Sequence, residues 1–333
     1  ALKRRYGQPQ KARGIDNDLA YRAVASGEAD VLAVYSSDAK IPKYGLLTHE
    51  DDLGFFPASE ALILYRSELE TTQPEVVEAF ELLRDRIDES RMARLNAEAE
   101  IDEREELSVA AAFLEDDLGL FVAAEVETPF QRILRMTGEH IAIVGVSLAI
   151  AVLLGLFLGI VAAKTRVFGQ IVIGVVSAAQ TFPGLALLAL FVPLLGIGWL
   201  PTVVALVVYS LLPIVRNTFT GITGIRRPLA ESARVLGLSP RTRLFTIELP
   251  LAAPSILAGV KTAAVWNVGL ATLGALIGAG GYGQAILKGI RKADNGLLLE
   301  GAIPAIVLAL LVQVLFDALE RRVVSKGLRQ AAH

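Results

Sequence analysis

Residues 231–259 read ESARVLGLSPRTRLFTIELPLAAPSILAG. The stretch opens amphipathic and basic, then closes on an apolar run that begins at Leu249-Pro250. Pro228, just upstream, suits a first helical turn, Gly237 a helix stop, and Ser239-Pro240 the cap of a second helix. Leu229, Ala233, Leu236 and Leu238 mark an apolar side; Glu231, Arg234, Arg241 and Arg243 stay polar. A helix this short and this charged cannot cross a bilayer, which takes about 20 apolar residues. It belongs on a membrane face, either lying on lipid as an interfacial helix or held by a partner.

Apolar runs of spanning length lie on both sides of it, at 140–163, 170–195, 200–215, 252–278 and 301–319. The second contains Thr181-Phe182-Pro183-Gly184, which predicts a kink or break. The third is short and starts at Trp199-Leu200-Pro201, where an indole suits the interface. Lys164 and Arg166 follow the first run. Arg216, Arg226, Arg227, Arg234, Arg241 and Arg243 lie between the third and fourth, and Arg321, Arg322, Lys326 and Arg329 follow the fifth. With five crossings these groups share one side, which the positive-inside rule makes the cytoplasm. Lys288, Arg291 and Lys292 fall on the opposite side and are outnumbered.

Composition divides the 333 residues in two. Mean hydropathy is +0.51, but residues 1–128 carry 28 acids against 14 bases, while 129–333 carry 7 against 18. An acidic, soluble region therefore precedes the membrane half, with the break near Thr128-Pro129. The absence of cysteine excludes disulfides, thiolate metal sites and a cysteine nucleophile. His49, His140 and His333 are too scattered for a cluster. Asp51-Asp52 and Asp116-Asp117 lack the glycine and alternating oxygens of a calcium loop and read as solvated charge. The charge alternation from Glu98 to Glu106 reads as an exposed helix or linker. GAGGYG (278–283) matches GxGxxG literally, but no strand precedes it, so a tight turn with close helix packing is expected rather than a dinucleotide site. No GxxxxGK[ST] occurs. The first residues carry no signal-peptide core, and the sequence opens on Ala1 rather than Met, so a start partway through a longer product is expected.

In the acidic region, 18–26 reads as a helix stopped by Gly27, and Val31–Tyr35 as a strand. Lys43–Leu47 reads as a short extended piece, and 74–89 and 105–114 as amphipathic helices. The pattern is α/β with an incomplete sheet.

Several of these motifs carry a resemblance. Glu231-Ser232-Ala233, then Gly237, then Ile247, Leu249 and Pro250 resemble the EAA loop of ABC-importer permeases. LLPIVRNTFTGITGI (211–225) and IGAGGYGQAI (277–286) are similar to the permeases of glycine betaine/choline importers. Ser232 stands where that family usually has Ala. GIDNDLAYRAVASGEADVLAVYSSDAKI (14–41) and YGLLTHEDDLGFFP (44–57) resemble the C-terminal half of osmoprotectant-binding proteins, and RLNAEAEIDEREELSVAAAFLEDDLGL (94–120) is similar to the end of that domain. In fused relatives the binding domain often follows the permease; here it comes first.

The resemblance implies an α-helical permease of the type I ABC-importer kind, with about five transmembrane helices, preceded by a partial α/β periplasmic-binding-protein-like domain. Domains are expected at 1–121, 122–138 (linker and interfacial segment) and 139–325. It implies that Glu231, Ser232, Ala233, Gly237, Leu249 and Pro250 couple to a separate ABC ATPase subunit, with Ala233 and Gly237 small enough for close approach. ATP and Mg would belong to that partner; this chain would have no catalytic residue, metal site or cofactor of its own. Two permease copies or a paired permease, membrane lipid and a quaternary-ammonium ligand complete the expected partners, with no nucleic acid. A quaternary cation donates no hydrogen bond, so aromatic faces hold it, at about 0.5–2 kcal/mol per ring. Tyr21 and Tyr35 are the candidate rings and Asp38 the candidate acid or hinge; otherwise Tyr35 ends a core strand and Asp38 caps a turn. Ser59 stands where relatives often place a ring. The expected location is a bacterial or archaeal inner membrane, multi-pass, with the acidic domain outside and the C-terminus cytoplasmic. A membrane-tethered receptor without transport is the alternative, and its weakness is that it needs no EAA-like loop. A membrane enzyme would need a catalytic constellation that the acidic half lacks.

Overall fold

The structure, a computed structural model, describes residues 5–7, 13–15, 17–56, 60–102, 104–123, 127–292 and 294–324. Ser59, Lys326, Arg329 and His333 lie outside these. The chain divides into two compact units, Ala1–Glu127 and Thr128–His333.

The first unit holds α1 (Asn17–Ala25), single turns at Lys40–Lys43 and Leu69–Thr72, α2 (Pro74–Glu81), α3 (Glu89–Glu100) and α4 (Glu106–Leu118). The helix expected over 74–89 is broken. α2 stops at Glu81, Asp85 takes φ of 58°, and α3 starts afresh behind Asp88. The Asp88 carboxylate accepts the Arg91 N–H at 2.7 Å, satisfying an amide that a first turn leaves without a partner. α3 and α4 then pack together: Arg91 pairs with Asp117 at 2.5 Å and lies 5.8 Å from the Phe113 ring, while Val109 and Phe113 are buried.

None of the described residues forms a strand. Val31–Tyr35 acquires no ladder partner among them, and a strand exists only through its ladder. Val31 and Tyr35 are 74% and 64% exposed, and Leu62 and Leu64 in a second stretch without regular structure are 74% and 91% exposed. The extended piece expected at 43–47 is a turn, with Gly45 N–H donating to the Pro42 carbonyl. Asp51, read as solvated charge, holds a loop by accepting from the Tyr6 hydroxyl and from Phe56 N–H.

The second unit contains α5 (Pro129–Lys164), α6 (Arg166–Gln180), α7 (Gly184–Leu195), α8 (Trp199–Thr223), α9 (Arg227–Val235), α10 (Pro240–Arg243), α11 (Leu249–Ala271), α12 (Gly283–Lys292) and α13 (Asn295–Val323). Among the described residues, four helical stretches are long and apolar enough to cross a membrane, and α6 with α7 makes a fifth if that pair is one span bent by 98°. The break falls at the Thr-Phe-Pro-Gly motif. There the Tyr209 hydroxyl donates to the Phe182 carbonyl, which the break releases from helical bonding.

Two boundaries differ from expectation. α5 begins at Pro129 with a Thr128/Gln131 capping box, so 129–138, within the expected linker and interfacial segment, is the start of that helix. α8 runs on to Thr223 instead of ending near 215, which places Arg216 within it. Its polar stretch finds partners in the protein: Asn217 Nδ2 donates to the Pro213 carbonyl one turn back, and Ser255 Oγ of α11 to the Asn217 carbonyl, both at 2.8 Å.

The core lies among α5, α8 and α11, with Ile143, Ala151, Leu206, Ile214, Val260 and Val268 buried. Small residues bring these helices close, as membrane packing favours. A Cβ on Gly155 would stand 2.6 Å from Ile214, and one on Gly259 2.6 Å from the Pro213 carbonyl oxygen. Polar pairs also join the helices: Ser210 of α8 donates to Asn267 of α11 at 2.9 Å, and Lys261 of α11 pairs with Asp317 of α13.

GAGGYG follows a 3₁₀ turn (Thr272–Ile277) and opens α12. It is a packing turn. Gly281, at φ of +74°, donates its N–H to Glu139 at 2.7 Å, and a Cβ there would lie 2.8 Å from His140 Nδ1.

Candidate functional sites

The segment between α8 and α11 stands apart from the packed spans. α8 ends at Thr223, and α9 begins at Arg227. Glu231 and Ser232 are exposed, Ser232 Oγ being bonded to the Pro228 carbonyl at 2.8 Å. Leu229, Val235 and Leu236 are 49%, 88% and 74% exposed. A short helix thus presents one carboxylate amid uncovered aliphatic side chains, the composition of a surface that a membrane or a protein partner covers.

Ala233 differs from expectation, whereas Gly237 is the helix stop read from the sequence. Ala233 is buried within its own chain, at 2% exposure, so its small size serves internal packing. Gly237 has φ of +70° and open space where a Cβ would sit. Glycine there serves the left-handed turn that ends α9.

The second part of the segment is an anchor, of which the sequence announced the Ser239 cap but not the Glu248 pairing. Ser239 accepts the Thr242 N–H at 3.2 Å and starts α10, after which Leu244–Glu248 forms a π turn. Leu249 N–H reaches back to the Leu244 carbonyl. That longer loop accommodates Pro250, which has no N–H to continue an α-helical ladder. Leu249 is half-buried and Pro250 exposed. Glu248 is buried between two cations: Arg243 Nε donates to it at 3.1 Å, and Lys164, the last residue of α5, pairs with its other oxygen. The only signal in the sequence was a lone carboxylate at the head of an apolar run.

In the first unit, Tyr21 is fully buried, stacks on Tyr44 at 6.1 Å between centroids and lies 5.8 Å from Lys40 Nζ. Tyr44 was not singled out from sequence. Asp38 accepts the Lys40 N–H at 3.0 Å and so heads the single turn at Lys40–Lys43. Asn96 of α3 donates to the Ser37 carbonyl at 3.0 Å, and Lys40 pairs with Glu100 at 3.4 Å, fastening 37–44 to α3. Tyr35 projects into the open at 64% exposure, and no ring contact joins it to Tyr21 among the described residues. Described His, Asp and Glu residues form no group of three suited to a metal.

Residues 151–325 match the family of binding-protein-dependent transport system inner membrane components. Residues 1–116 match the substrate-binding domain of ABC-type glycine betaine transport systems. The choline transport system permease protein OpuBB of Bacillus subtilis (strain 168) is 38% identical over 205 residues, covering 62% of this chain and 94% of that protein. The glycine betaine/carnitine/choline permease OpuCB of the same organism is 38% identical over 204 residues, covering 61% and 94%. The osmoprotectant import permease OsmW of Salmonella typhimurium is 36% identical over 199 residues, covering 58% and 93%. Among solved structures, the MetNI methionine ABC transporter in an inward-facing conformation aligns with a TM-score of 0.55 at 23% identity, over 60% of this chain and 100% of that one. That likeness is one of fold. With more than half its length matched, the chain belongs to the family of binding-protein-dependent transport system inner membrane components.

Proposed function

We propose that the chain is the membrane subunit, and part of the ligand-capturing apparatus, of an ATP-driven importer for a quaternary-ammonium solute such as glycine betaine, choline or carnitine. One observation carries the reading. The short helix Arg227–Val235 interrupts the spans of a transport-family chain and presents Glu231 among uncovered Leu229, Val235 and Leu236. The names of the relatives supply the solute class.

In this account α9 docks in a cleft of a separate ATPase subunit on the cytoplasmic side, and the first unit lies outside. Glu231 and Ser232 face the partner, Gly237 shapes the turn, and Leu249-Pro250 starts the span that takes up the motion. Two permease copies, or a copy and a paired permease, enclose the path. ATP and Mg act on the ATPase; closure of the ATPase pair tips the spans outward, and hydrolysis resets them. Tyr21, Tyr35 and Asp38 contribute to ligand capture by the first unit.

The test is ATP-dependent uptake of choline, glycine betaine and carnitine by proteoliposomes holding this chain and its ATPase. Glu231→Ala lowers uptake at least tenfold while the protein remains folded and inserted. Unchanged uptake in Glu231→Ala overturns the coupling role, and the membrane-tethered receptor then becomes the better reading.

A further inference from the structure

Beside the break between α6 and α7 lies an open cleft of about 440 Å³. It is lined by Gln180, Tyr209, Val265, Trp266, Gly269 and Leu270. Its volume falls in the range of small-molecule sites, about 300–1,000 Å³. No lining residue carries a charge. Trp266 is 47% exposed and Tyr209 half-buried, so both rings stand at the surface of the helical bundle.

Three features bear on what such a space accepts. Gln180 is the last residue of α6, whose Ala178 carbonyl accepts from the Thr181 N–H and hydroxyl, and a helix C-terminus carries about half a negative charge. The Tyr209 hydroxyl is committed to the Phe182 carbonyl, which ties this residue to the break. The lining thus offers aromatic carbon, a negative helix end and a side-chain amide, with no cation to repel a positive guest. Position along the span is the third feature. Tyr209 lies about 15 Å along α8 from Trp199 and about 21 Å from Thr223, at 1.5 Å per residue. Broken helices near mid-membrane form binding sites in transporters because helix ends supply partial charge where water cannot.

We propose that this cleft binds the trimethylammonium group of the solute in transit, with Trp266 and Tyr209 as ring faces and the C-terminal end of α6 as the negative pole. The inference rests on the importer reading above and adds a second site, inside the membrane, to the one expected in the first unit. A trimethylammonium group has no N–H bonds to lose on leaving water, only the hydration of its charge, which ring faces and a helix end partly replace.

The sequence holds two tryptophans, so Trp199→Phe leaves Trp266 as the sole indole. The full chain carrying that change is placed in bilayers of phosphatidylethanolamine and phosphatidylglycerol, which contain no choline headgroup. Titration with choline then shifts Trp266 emission saturably, and the neutral carbon isostere of choline does not. In uptake assays with the ATPase, Trp266→Ala raises the KM for choline about tenfold with kcat within about twofold, while Trp266→Phe stays close to the parent. An equal shift with the neutral isostere, or an unmoved KM in Trp266→Ala, overturns the cleft assignment and leaves the importer reading in place. A response only after phosphatidylcholine is added to the bilayer makes the site one for lipid headgroups and also overturns it. Absence of uptake by the unmodified chain overturns both.

Discussion

Glu248 and Lys164 stand 84 residues apart and form an ion pair that joins the head of α11 to the end of α5. Arg243 holds the second oxygen of the same carboxylate at 3.1 Å. A buried carboxylate between two cations is a joint whose parts cannot separate cheaply. Motion imposed on α9 and α10 therefore reaches α5 as well as α11. Glu248→Gln should lower stability by about 1–3 kcal/mol, less than for a fully buried pair because the Lys164 side chain is 37% exposed. Thermal unfolding in detergent measures this. The exchange of Lys164→Glu with Glu248→Lys should recover part of the loss if the pairing matters, and none if only the local packing of Glu248 does.

The glycine turn offers a contrast within six residues. Gly281→Ala meets both a left-handed φ and a Cβ 2.8 Å from His140 Nδ1, whereas Gly278→Ala meets only the φ of +79° in open space. Expected losses are about 2–4 kcal/mol for the first and about 1–2 kcal/mol for the second. Chemical unfolding of the two variants side by side checks the order; equal losses would remove the claim that the loop packs on α5.

The α3 cap gives the first unit a pH dependence. The Arg91 N–H and the Ser90 hydroxyl both bond the Asp88 carboxylate, and these bonds hold it below its ordinary value of 3.8. A carboxyl lowered in the folded state contributes stability that is complete above its ordinary value and fades as pH falls through the lowered one. Amide exchange at Arg91 should therefore be slow near neutral pH and accelerate, relative to its intrinsic rate, only below about pH 4. Asp88→Asn should keep the cap and abolish that acid step, and Asp88→Ala should expose the amide at every pH.

These particulars show why some of the molecule was readable from residue order and some was not. Spans, the break at Thr181–Gly184 and the short helix around Glu231 rest on local signals: apolar length, proline and glycine placement, and caps. α8 overran its expected end where Asn217 bonds back to the Pro213 carbonyl and Ser255 of α11 donates to the Asn217 carbonyl, and that contact between helices is one no window along the chain can reveal. Glu248 escaped notice for the same reason, since its partner lies 84 residues away. Val31–Tyr35 has strand-forming side chains, but a strand requires a neighbour, and the described residues offer none. Ala233 was expected, from the resemblance and its small size, to let a partner approach, yet it is buried within the chain; burial, not size, decides which surface a small residue serves.

The central claim is that α9 and the first unit face opposite compartments, with α9 on the side of the ATPase. The 333 residues contain no cysteine, so Glu231→Cys and Tyr35→Cys each introduce one reactive thiol among them. The decisive measurement is labelling of both variants in intact cells by a membrane-impermeant maleimide. The account predicts that Tyr35→Cys labels at once, and that Glu231→Cys labels only after permeabilisation and less when the ATPase is co-expressed. Labelling of both thiols in intact cells, or of Glu231→Cys alone, would contradict it.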